Sequence, residues 1–438
     1  MARLSRSLLA ALLLVGASCA RQEPSGPQVR HLQNGLTIIA KPSRAADVVS
    51  VQVWVRDGTI YESPRDAGAS SVLSELVRPS PALSGAGEAA LAVEAVGGRT
   101  EAEHSQDHVC YEVTVPGRHL DLALRALSDA VLRPPLEPAS VERAKTAVVR
   151  RTASLMSRPI DRALQMCLAA IMPRHPTARP PAASASDLAA IDASVLEDWW
   201  SRRYVGANMV VVVVGNAEPR DAADRAEKAF SGVAAGERAE PWSSSVEWLT
   251  APARVDAGIE TDSERATMMI GFPGPGVSDE DHVAADVLMM ALAGSRSSRM
   301  SRALVAERGI AWSVGGGWYT RTQASPCFIW MELDPVNALA AEAAVVDVVE
   351  SLAERPLDAD DLARGKALLT SYMVFASETA AQQAAYEGYW FIVADEGYAD
   401  SYFDRIEAVT VEDLRGAAVK YLRPESRATV VLEPHWVK

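Results

Sequence analysis

The sequence contains few cysteines, comparatively little positive charge and almost no long apolar run. Beyond the N-terminal leader only Cys110, Cys167 and Cys327 remain, which allow at most one disulfide and provide no closely spaced metal ligands. The 43 Lys and Arg residues are outnumbered by 57 Asp and Glu residues, and the net charge of -14 argues against nucleic acid as a partner. The one apolar run, at the N-terminus, excludes a protein that crosses a membrane many times. The remaining composition is typical of a globular chain of 438 residues with more than one domain.

Residues 1–20 have the three parts of a bacterial export signal: a start with two arginines, a short apolar stretch and small residues around Cys19. The four residues that end at Cys19 resemble a lipobox, in which this cysteine carries the lipid, although a glycine stands where Leu or Val is usual. Cleavage after Ala20 is the alternative and yields an exported protein without an anchor. Both alternatives predict export to the periplasm, and the first adds a lipid anchor in the membrane.

The first half of the mature chain, residues 28–232, alternates strand and helix patterns. Asn34 and Gly35 predict a tight turn between two strands. Valines at every second position of 49–55 predict a strand with one apolar face turned toward helices. Apolar residues at helical spacing predict a helix over 120–131.

Residues 233–252 have the composition of a linker, and residues 253–438 repeat the order of elements of the first half. In both halves an acidic helix with an aromatic end precedes a Val-rich strand, at 190–215 and again at 408–434. The sequence therefore predicts an α+β fold of two homologous halves. Each half is expected to form a mixed, mostly antiparallel sheet packed with helices, and the two together a clamshell.

Several segments make the chain similar to a known family: NGLTIIAKP (34–42), VWVRDGTIYESPRDAG (53–68), GFPGP (271–275), GSRSSRMSRALVAERGIAWSV (294–314) and VTVEDLRGAAVKYL (409–422). Through them the sequence resembles the pitrilysin/insulinase family of zinc metallopeptidases, and within it the bacterial branch that is similar to mitochondrial processing peptidase. The resemblance runs from residue 31 to the C-terminus. It implies a two-half fold and a peptide substrate.

The zinc motif of that family is degenerate in this sequence. Family members carry His-x-x-Glu-His on one helix and a carboxylate on a later helix; the histidines bind zinc from one helix face, and the Glu activates the bound water. Ser71, Ser74 and Glu75 stand at the three motif positions. Arg150 and Arg151 stand where the distal carboxylate is expected, and a guanidinium repels a dication. The resemblance thus implies a site without catalytic residues, and no cofactor is expected in this chain.

A second segment has zinc-like spacing. His104 and His108 enclose an acid in the pattern H-x-x-acid-H, and Glu103 precedes it. The surrounding alternation predicts a strand, on which residues four apart lie about 13 Å apart, too far to share a metal. A metallopeptidase with a rearranged site of His104, His108 and either Glu75 or Glu103 is the alternative hypothesis.

Two residues of the second half match a pair that holds substrate in related proteins. In two-subunit bacterial relatives one chain carries zinc, and its partner contributes an Arg and a Tyr near the metal. Arg299 and Trp312 stand at these positions. Arg donates paired hydrogen bonds to peptide oxygens, and Trp offers an N–H donor with an apolar face. An ion-paired Arg299 beside a core Trp312 is the other interpretation.

Together these observations predict a non-catalytic, zinc-free subunit that pairs with a catalytic zinc-bearing homologue and helps it to bind and enclose peptides. No nucleic acid is expected as a partner, and the membrane is contacted only through a lipid anchor. A structural peptide-binding protein without a catalytic partner is the third hypothesis.

Overall fold

Two β-sheets, one from each half of the chain, form the framework of the protein, and helices cover them. The predicted export signal, with Cys19, lies outside the described residues. Within the described part, no helix combines the length and apolar character needed to cross a membrane. Cys110, Cys167 and Cys327 are all buried as free thiols. The computed structural model describes residues 26–78, 86–180, 185–243, 246–318, 320–323 and 325–435.

The first sheet has six strands in the order β1-β2-β6-β3-β5-β4, and only the β2–β6 pair is parallel. The turn at Asn34 and Gly35 joins the first two strands, as predicted. Its strands are β1 (Gln28–His31), β2 (Thr37–Pro42), β3 (Val48–Val55), β4 (Arg99–His104), β5 (Val109–Pro116) and β6 (Met209–Gly215). The helices of this half are α1 (Ala69–Val77), α2 (Ala86–Ala95), α3 (Leu120–Leu132), α4 (Pro138–Met156), α5 (Pro159–Ile171), α6 (Ala185–Ala189), α7 (Ala193–Arg203) and α8 (Pro219–Ala229).

The second sheet has five strands in the order β7-β11-β8-β10-β9, with one parallel pair, β7–β11. Its strands are β7 (Ala253–Glu260), β8 (Ala266–Phe272), β9 (Ser313–Trp318), β10 (Cys327–Leu333) and β11 (Ala428–His435). The helices are α9 (His282–Ala293), α10 (Arg299–Ser301), α11 (Ala338–Glu354), α12 (Ala359–Phe375), α13 (Ala380–Val393), α14 (Tyr398–Ala408) and α15 (Val411–Tyr421).

The two sheets share one topology. The order β2-β6-β3-β5-β4 of the first sheet corresponds to β7-β11-β8-β10-β9 of the second, with the parallel pair at the same place. The Val-rich strands β6 and β11 are the last strands of their halves in the chain, and both lie in the interior of their sheets. Each follows an acidic helix, α7 or α15. The predicted fold class, α+β with two similar halves of mixed sheet and helices, is confirmed.

Strand β3 is buried on both faces. The valines at 49, 51, 53 and 55 lie in the core of the first half, as their alternation predicts. The opposite face is covered by α13 of the second half, which begins at a capping box formed by Thr379 and Gln382. Gln52 Nε2 donates to the carbonyl of Ala381 at 2.8 Å, so the polar side chain on this face is satisfied by the covering helix.

A helix of the first half also covers part of the second sheet. Helix α5 of the first half packs on β8 and β11 of the second sheet and forms a separate apolar cluster there. Next to it, Arg321 of the second half donates to Asp107 Oδ1 at 3.0 Å, and the backbone N of Thr322 donates to Asp107 Oδ2 at 3.0 Å. Asp107 is fully buried, so this ion pair and this hydrogen bond connect the two halves at a buried contact.

Candidate functional site

Helix α1 carries the three zinc-motif positions on one face, because residues three and four apart lie above one another on a helix. Gly68 caps the helix with a φ of 95°, a left-handed conformation that suits glycine. The hydroxyl of Ser71 donates to the carbonyl of Gly68 at 3.0 Å, and that of Ser74 donates to the carbonyl of Ser71 at 3.2 Å. Both hydroxyl donors are therefore used inside the helix.

Helix α4 faces α1 and supplies an arginine to the third motif position. Arg151 Nη2 lies 2.7 Å from Glu75 Oε2, with the side chains 35% and 12% exposed respectively. Arg150, one residue earlier, is exposed to solvent. Of the two arginines at the register where the resemblance implies the distal carboxylate, Arg151 is the one that faces α1 and forms an ion pair with Glu75.

A cavity of about 50 Å³ remains between α1, α4 and the end of β4. It has room for a few water molecules but not for a peptide. His104, the last residue of β4, reaches this cavity from the sheet. The lining consists of Ser71, Ser74, Glu75, His104, Val148, Arg151, Thr152 and Leu155.

The surroundings of His104 favour its neutral imidazole. Burial, and then the charge of Arg151, lower the pKa of His104 to about 3. Its Nε2 lies 2.8 Å from the hydroxyl oxygen of Ser70. The backbone N of Ser70 donates to Glu62 Oε1 at 3.1 Å, and burial raises the pKa of Glu62 to about 7. A buried polar chain therefore runs from Glu62 through Ser70 to the cavity.

These residues do not fit a zinc ion. A catalytic zinc site uses three protein ligands from His, Cys, Asp or Glu. The cavity offers one imidazole, His104, and one carboxylate, Glu75, which already accepts from Arg151. Across the described residues there is also no group of three or more His, Cys, Asp or Glu side chains that could hold a metal ion.

His108 does not join His104. The predicted continuous strand through this segment is wrong: residues 105–108 form a turn, in which the backbone N of Ser105 donates to the carbonyl of His108 at 2.9 Å. The chain reverses here because β4 and β5 pair as a hairpin, with His104 opposite Val109. His108 Nδ1 lies 3.0 Å from Asp107 Oδ1, at the contact between the halves.

The surroundings of His108 differ from those of His104. Its ring packs against Trp54 at 5.1 Å and edge-on against Tyr389 at 5.7 Å between centroids. Burial disfavours the charged imidazolium, but hydrogen bonds with Asp107 and Glu103 outweigh it and raise the pKa of His108. His108 thus belongs to the ionic contact between the halves rather than to the cavity at α1.

Arg299 is bound within the second half. It donates to the carbonyls of Arg355 and Pro356, at the C-terminal end of α11, the second at 3.2 Å. It also pairs with the buried carboxylate of Asp361 at 3.0 Å, in the first turn of α12. These contacts join two helix ends and occupy the guanidinium from several sides.

Trp312, by contrast, is 59% exposed. Its Nε1 donates to Asp334 Oδ1 at 3.3 Å, and the guanidinium of Arg265 lies 4.6 Å from the ring centroid. It is therefore not a core residue, and one face of its ring is stacked with a cation.

Reasoning from the sequence did not identify Ser70 and Glu62 as parts of the site. Their partners are distant in sequence: Ser70 and His104 are 34 residues apart. The only local signal is the position of Ser70 beside Ser71 on the motif helix, which by itself indicates nothing about the strand behind it.

Comparison with known proteins identifies the family. The family model for insulinase (peptidase family M16) matches residues 37–183, and the model for the peptidase M16 inactive domain matches residues 190–369. An uncharacterized zinc protease of Mycobacterium tuberculosis is 27% identical over 414 residues, 94% of this chain and 94% of that protein. Another, of Mycobacterium leprae, is 31% identical over 284 residues, 65% of this chain and 64% of that protein.

Solved structures show the same fold. A protease from Helicobacter pylori matches with a TM-score of 0.82 at 20% identity, over 94% of this chain and 100% of that chain. A structure described as the peptidase M16 inactive domain from Pseudomonas fluorescens matches with a TM-score of 0.80 at 15% identity, over 94% and 98% of the two chains. With both of its halves matched, the chain belongs to the insulinase family, peptidase M16.

Proposed function

We propose that this chain is a zinc-free, non-catalytic member of the M16 family that pairs with a zinc-bearing homologue and helps it to bind and enclose peptides. The observation that carries the proposal is the ion pair of Arg151 with Glu75 at two former ligand positions. The glutamate that serves as the general base in the family is also missing: Ser74 stands at its position, and the hydroxyl of Ser74 donates to the backbone of its own helix.

Electrostatics supports this proposal. A divalent ion about 4 Å from a guanidinium experiences a repulsion on the order of 8 kcal/mol at an effective dielectric constant of about 20. To admit the ion, Arg151 has to leave Glu75, and the ion then finds only Glu75 and His104 as ligands. Loss of a single outer-shell partner already costs about 10- to 100-fold in metal affinity. The ion pair therefore disfavours zinc by both charge and ligand number.

We also propose Arg299 and Trp312 as peptide contacts, to which they contribute unequally. Trp312 is 59% exposed and offers the ring face that is not stacked on Arg265 without rearrangement, whereas its N–H already donates to Asp334. Arg299 has to exchange a bond to Pro356 or Arg355 before it can donate to a peptide carbonyl. We therefore expect Trp312→Ala to weaken peptide binding more than Arg299→Lys does.

The proposal is tested by reconstitution with an M16 homologue of the same genome that carries an intact His-x-x-Glu-His motif. The two chains are expected to co-elute in size-exclusion chromatography, and cleavage of a quenched fluorogenic peptide by the homologue is expected to rise when this chain is added. This chain alone is expected to leave the peptide intact. Trp312→Ala is expected to reduce the stimulation but not the co-elution, and Trp242→Ala, an exposed tryptophan in the predicted linker, serves as the matched control.

Two outcomes contradict the proposal. Cleavage by this chain alone, lost on His104→Ala, favours the rearranged metallopeptidase. Peptide binding without any complex with the homologue favours a structural peptide-binding protein.

Export and anchoring belong to the same proposal. We propose that the leader is removed in the periplasm and that Cys19 becomes the lipidated N-terminus; cleavage after Ala20 is the alternative. The mass of the mature N-terminal peptide distinguishes a diacylated or triacylated cysteine from an unmodified residue after Ala20.

A further inference from the structure

A second, larger cavity lies beside the second sheet, where helix α5 of the first half packs against it. It has a volume of about 500 Å³ and lies beside the edge strand β9, between α5 on one side and helices α9, α12, α13 and α14 on the other. It is about ten times the volume of the cavity at α1 and shares none of its lining residues. Volumes of this order accommodate an organic ligand or a few peptide residues.

One acid in the lining of this cavity is buried. Asp286, on α9, is 8% exposed. Its Oδ1 accepts from the indole N–H of Trp318, and its Oδ2 accepts from the hydroxyl of Tyr402 at 2.6 Å. Two donors hold the carboxyl in one orientation, and no cation among the described residues pairs with it. A carboxylate can accept more than two hydrogen bonds, so Asp286 retains acceptor capacity for a ligand in the cavity.

Aromatic rings make up much of the remaining wall. Trp330 is 37% exposed and Tyr372 60% exposed, and both line the cavity at its open side. The described lining contains no Lys or Arg; its charged members are Asp286 and Asp161, and Asp161 pairs with Arg158 at 2.6 Å. The faces of aromatic rings attract cations, most strongly where water is excluded.

Strand β9 leaves room for a ligand because it presents glycines to the cavity. A Cβ at Gly317 would meet only the ring of Trp330, at 3.8 Å, an ordinary contact distance. Because Gly317 itself lines the cavity, a larger residue at this position is expected to take up part of the free volume.

We propose that this cavity binds an organic ammonium group carried on an aromatic or alkyl body, with the cation at Asp286 and the body against Trp330 and Tyr372. The ammonium can belong to a small free amine or to a basic side chain of a peptide. This inference goes beyond the proposed function and does not depend on it, because it concerns the isolated chain and a different cavity.

The charge of Asp286 depends on pH in the physiological range, since burial raises the pKa of Asp286 to about 7. Burial raises the pKa values of the phenols of Tyr389, Tyr398 and Tyr402 and of the thiol of Cys327, so these groups stay neutral near pH 7. Burial lowers the pKa of His282, which therefore loses its proton at a lower pH than Asp286 does. The titratable and charged groups around Asp286 are His282 on the same helix, Tyr389, Tyr398, Tyr402 and Cys327 on neighbouring elements and, across the cavity, Tyr372 and Asp161 with Arg158.

Binding of an ammonium ion requires the ionised acid, whereas a neutral ligand does not. The ionised fraction of a group with a pKa of about 7 rises about tenfold between pH 6 and pH 8, while an alkylammonium stays charged. Affinity for an amine is therefore expected to rise about tenfold over this interval, and affinity for a neutral analogue to stay constant.

The test compares phenethylammonium with phenethyl alcohol, by isothermal titration calorimetry or ligand-observed NMR on the mature chain. At pH 8 the amine is expected to bind about tenfold more tightly than the alcohol. Asp286→Asn is expected to abolish this difference and leave the alcohol unaffected. Gly317→Leu is expected to abolish binding of both, whereas Gly416→Leu, at an exposed site where a Cβ meets nothing within 4 Å, is expected to bind like the wild type.

Equal affinity for amine and alcohol, or no saturable binding of either, overturns the inference. A terminally blocked peptide with one lysine beside a phenylalanine then identifies the source of the ammonium: competition with phenethylammonium assigns the cavity to basic side chains, and no competition assigns it to free amines. If Asp286→Asn fails to fold, the pH dependence of the wild type and the Gly317→Leu variant still decide the question.

Discussion

Removing Arg151 tests whether the ion pair at the former metal position holds the two motif helices together. Arg151→Met keeps most of the side-chain stem and removes the charge. Exposed ion pairs contribute about 0–1 kcal/mol, and removing one partner of a buried pair costs about 3–5 kcal/mol. With Glu75 12% exposed and Arg151 35% exposed, the pair lies between these limits, and we expect Arg151→Met to lower the free energy of unfolding by about 2 kcal/mol.

A double-mutant cycle separates the ion pair from packing. Glu75→Gln is expected to cost about 1 kcal/mol, because the partly exposed guanidinium can turn toward water. The double variant is expected to cost about 1 kcal/mol less than the sum of the single variants, since neither charge is left unpaired. The matched control is Arg202 with Asp198, a pair of similar length, 2.6 Å, on the surface, for which we expect a coupling energy below about 0.5 kcal/mol.

Urea denaturation followed by circular dichroism gives the four unfolding free energies of each cycle. NMR titration of His104 adds an independent measurement: part of the reason for its low pKa is the charge of Arg151, so the pKa is expected to rise in Arg151→Met. A coupling energy no larger than that of the surface control, together with an unchanged pKa of His104, would refute the reasoning.

Three further predictions concern other parts of the structure. Because burial raises the pKa of Glu62 from 4.5 to about 7, ionisation of this residue is expected to lower the free energy of unfolding by about 3 kcal/mol as the pH rises from 4 to 8. Between these pH values, urea unfolding of Glu62→Gln is expected to show a change about 3 kcal/mol more favourable than that of the wild type, which shares every other titrating group; equal changes would contradict this. Arg321→Met leaves the buried Asp107 without its cationic partner from the other half and is expected to lower the free energy of unfolding by about 3 kcal/mol in the same assay. A decrease below about 1 kcal/mol would contradict the assignment of a buried ion pair. Gly388→Ala places a Cβ 2.2 Å from the indole nitrogen of Trp54 on β3 and is expected to lower the free energy of unfolding by about 1–3 kcal/mol. Gly416→Ala is the control, because its Cβ meets nothing within 4 Å, and it is expected to be neutral or stabilising. Identical melting temperatures of the two variants would show that α13 is not tightly packed.

Regular periodicity made much of the fold predictable from the sequence. Strands such as β3 and β6 are rich in β-branched residues, and α3 shows apolar residues at helical spacing, so local pattern and tertiary role agree. Helix α13 was not predicted. It contacts the first sheet on one side and the aromatic cluster around Trp390 on the other, so its apolar residues surround the helix and show little periodicity.

For the candidate site, the sequence predicts candidate residues, and the contacts among those residues are seen only in the structure. The spacing from the motif helix places Arg150 and Arg151 at the distal position, yet only the helix geometry shows which of the two faces Glu75. Likewise, the spacing of His104 and His108 does not show that a hairpin turn separates them, because that turn is set by pairing between strands. The contact of Asp107 with Arg321 joins residues 214 positions apart and has no local signal at all.

The central claim is that the former metal site is closed by an ion pair and holds no zinc. The most direct measurement is the zinc content of the mature chain, purified without chelator and dialysed against zinc, by inductively coupled plasma mass spectrometry. The structure predicts far less than one zinc per chain, in the wild type and in His104→Ala alike. Stoichiometric zinc in the wild type that is lost in His104→Ala would contradict the account.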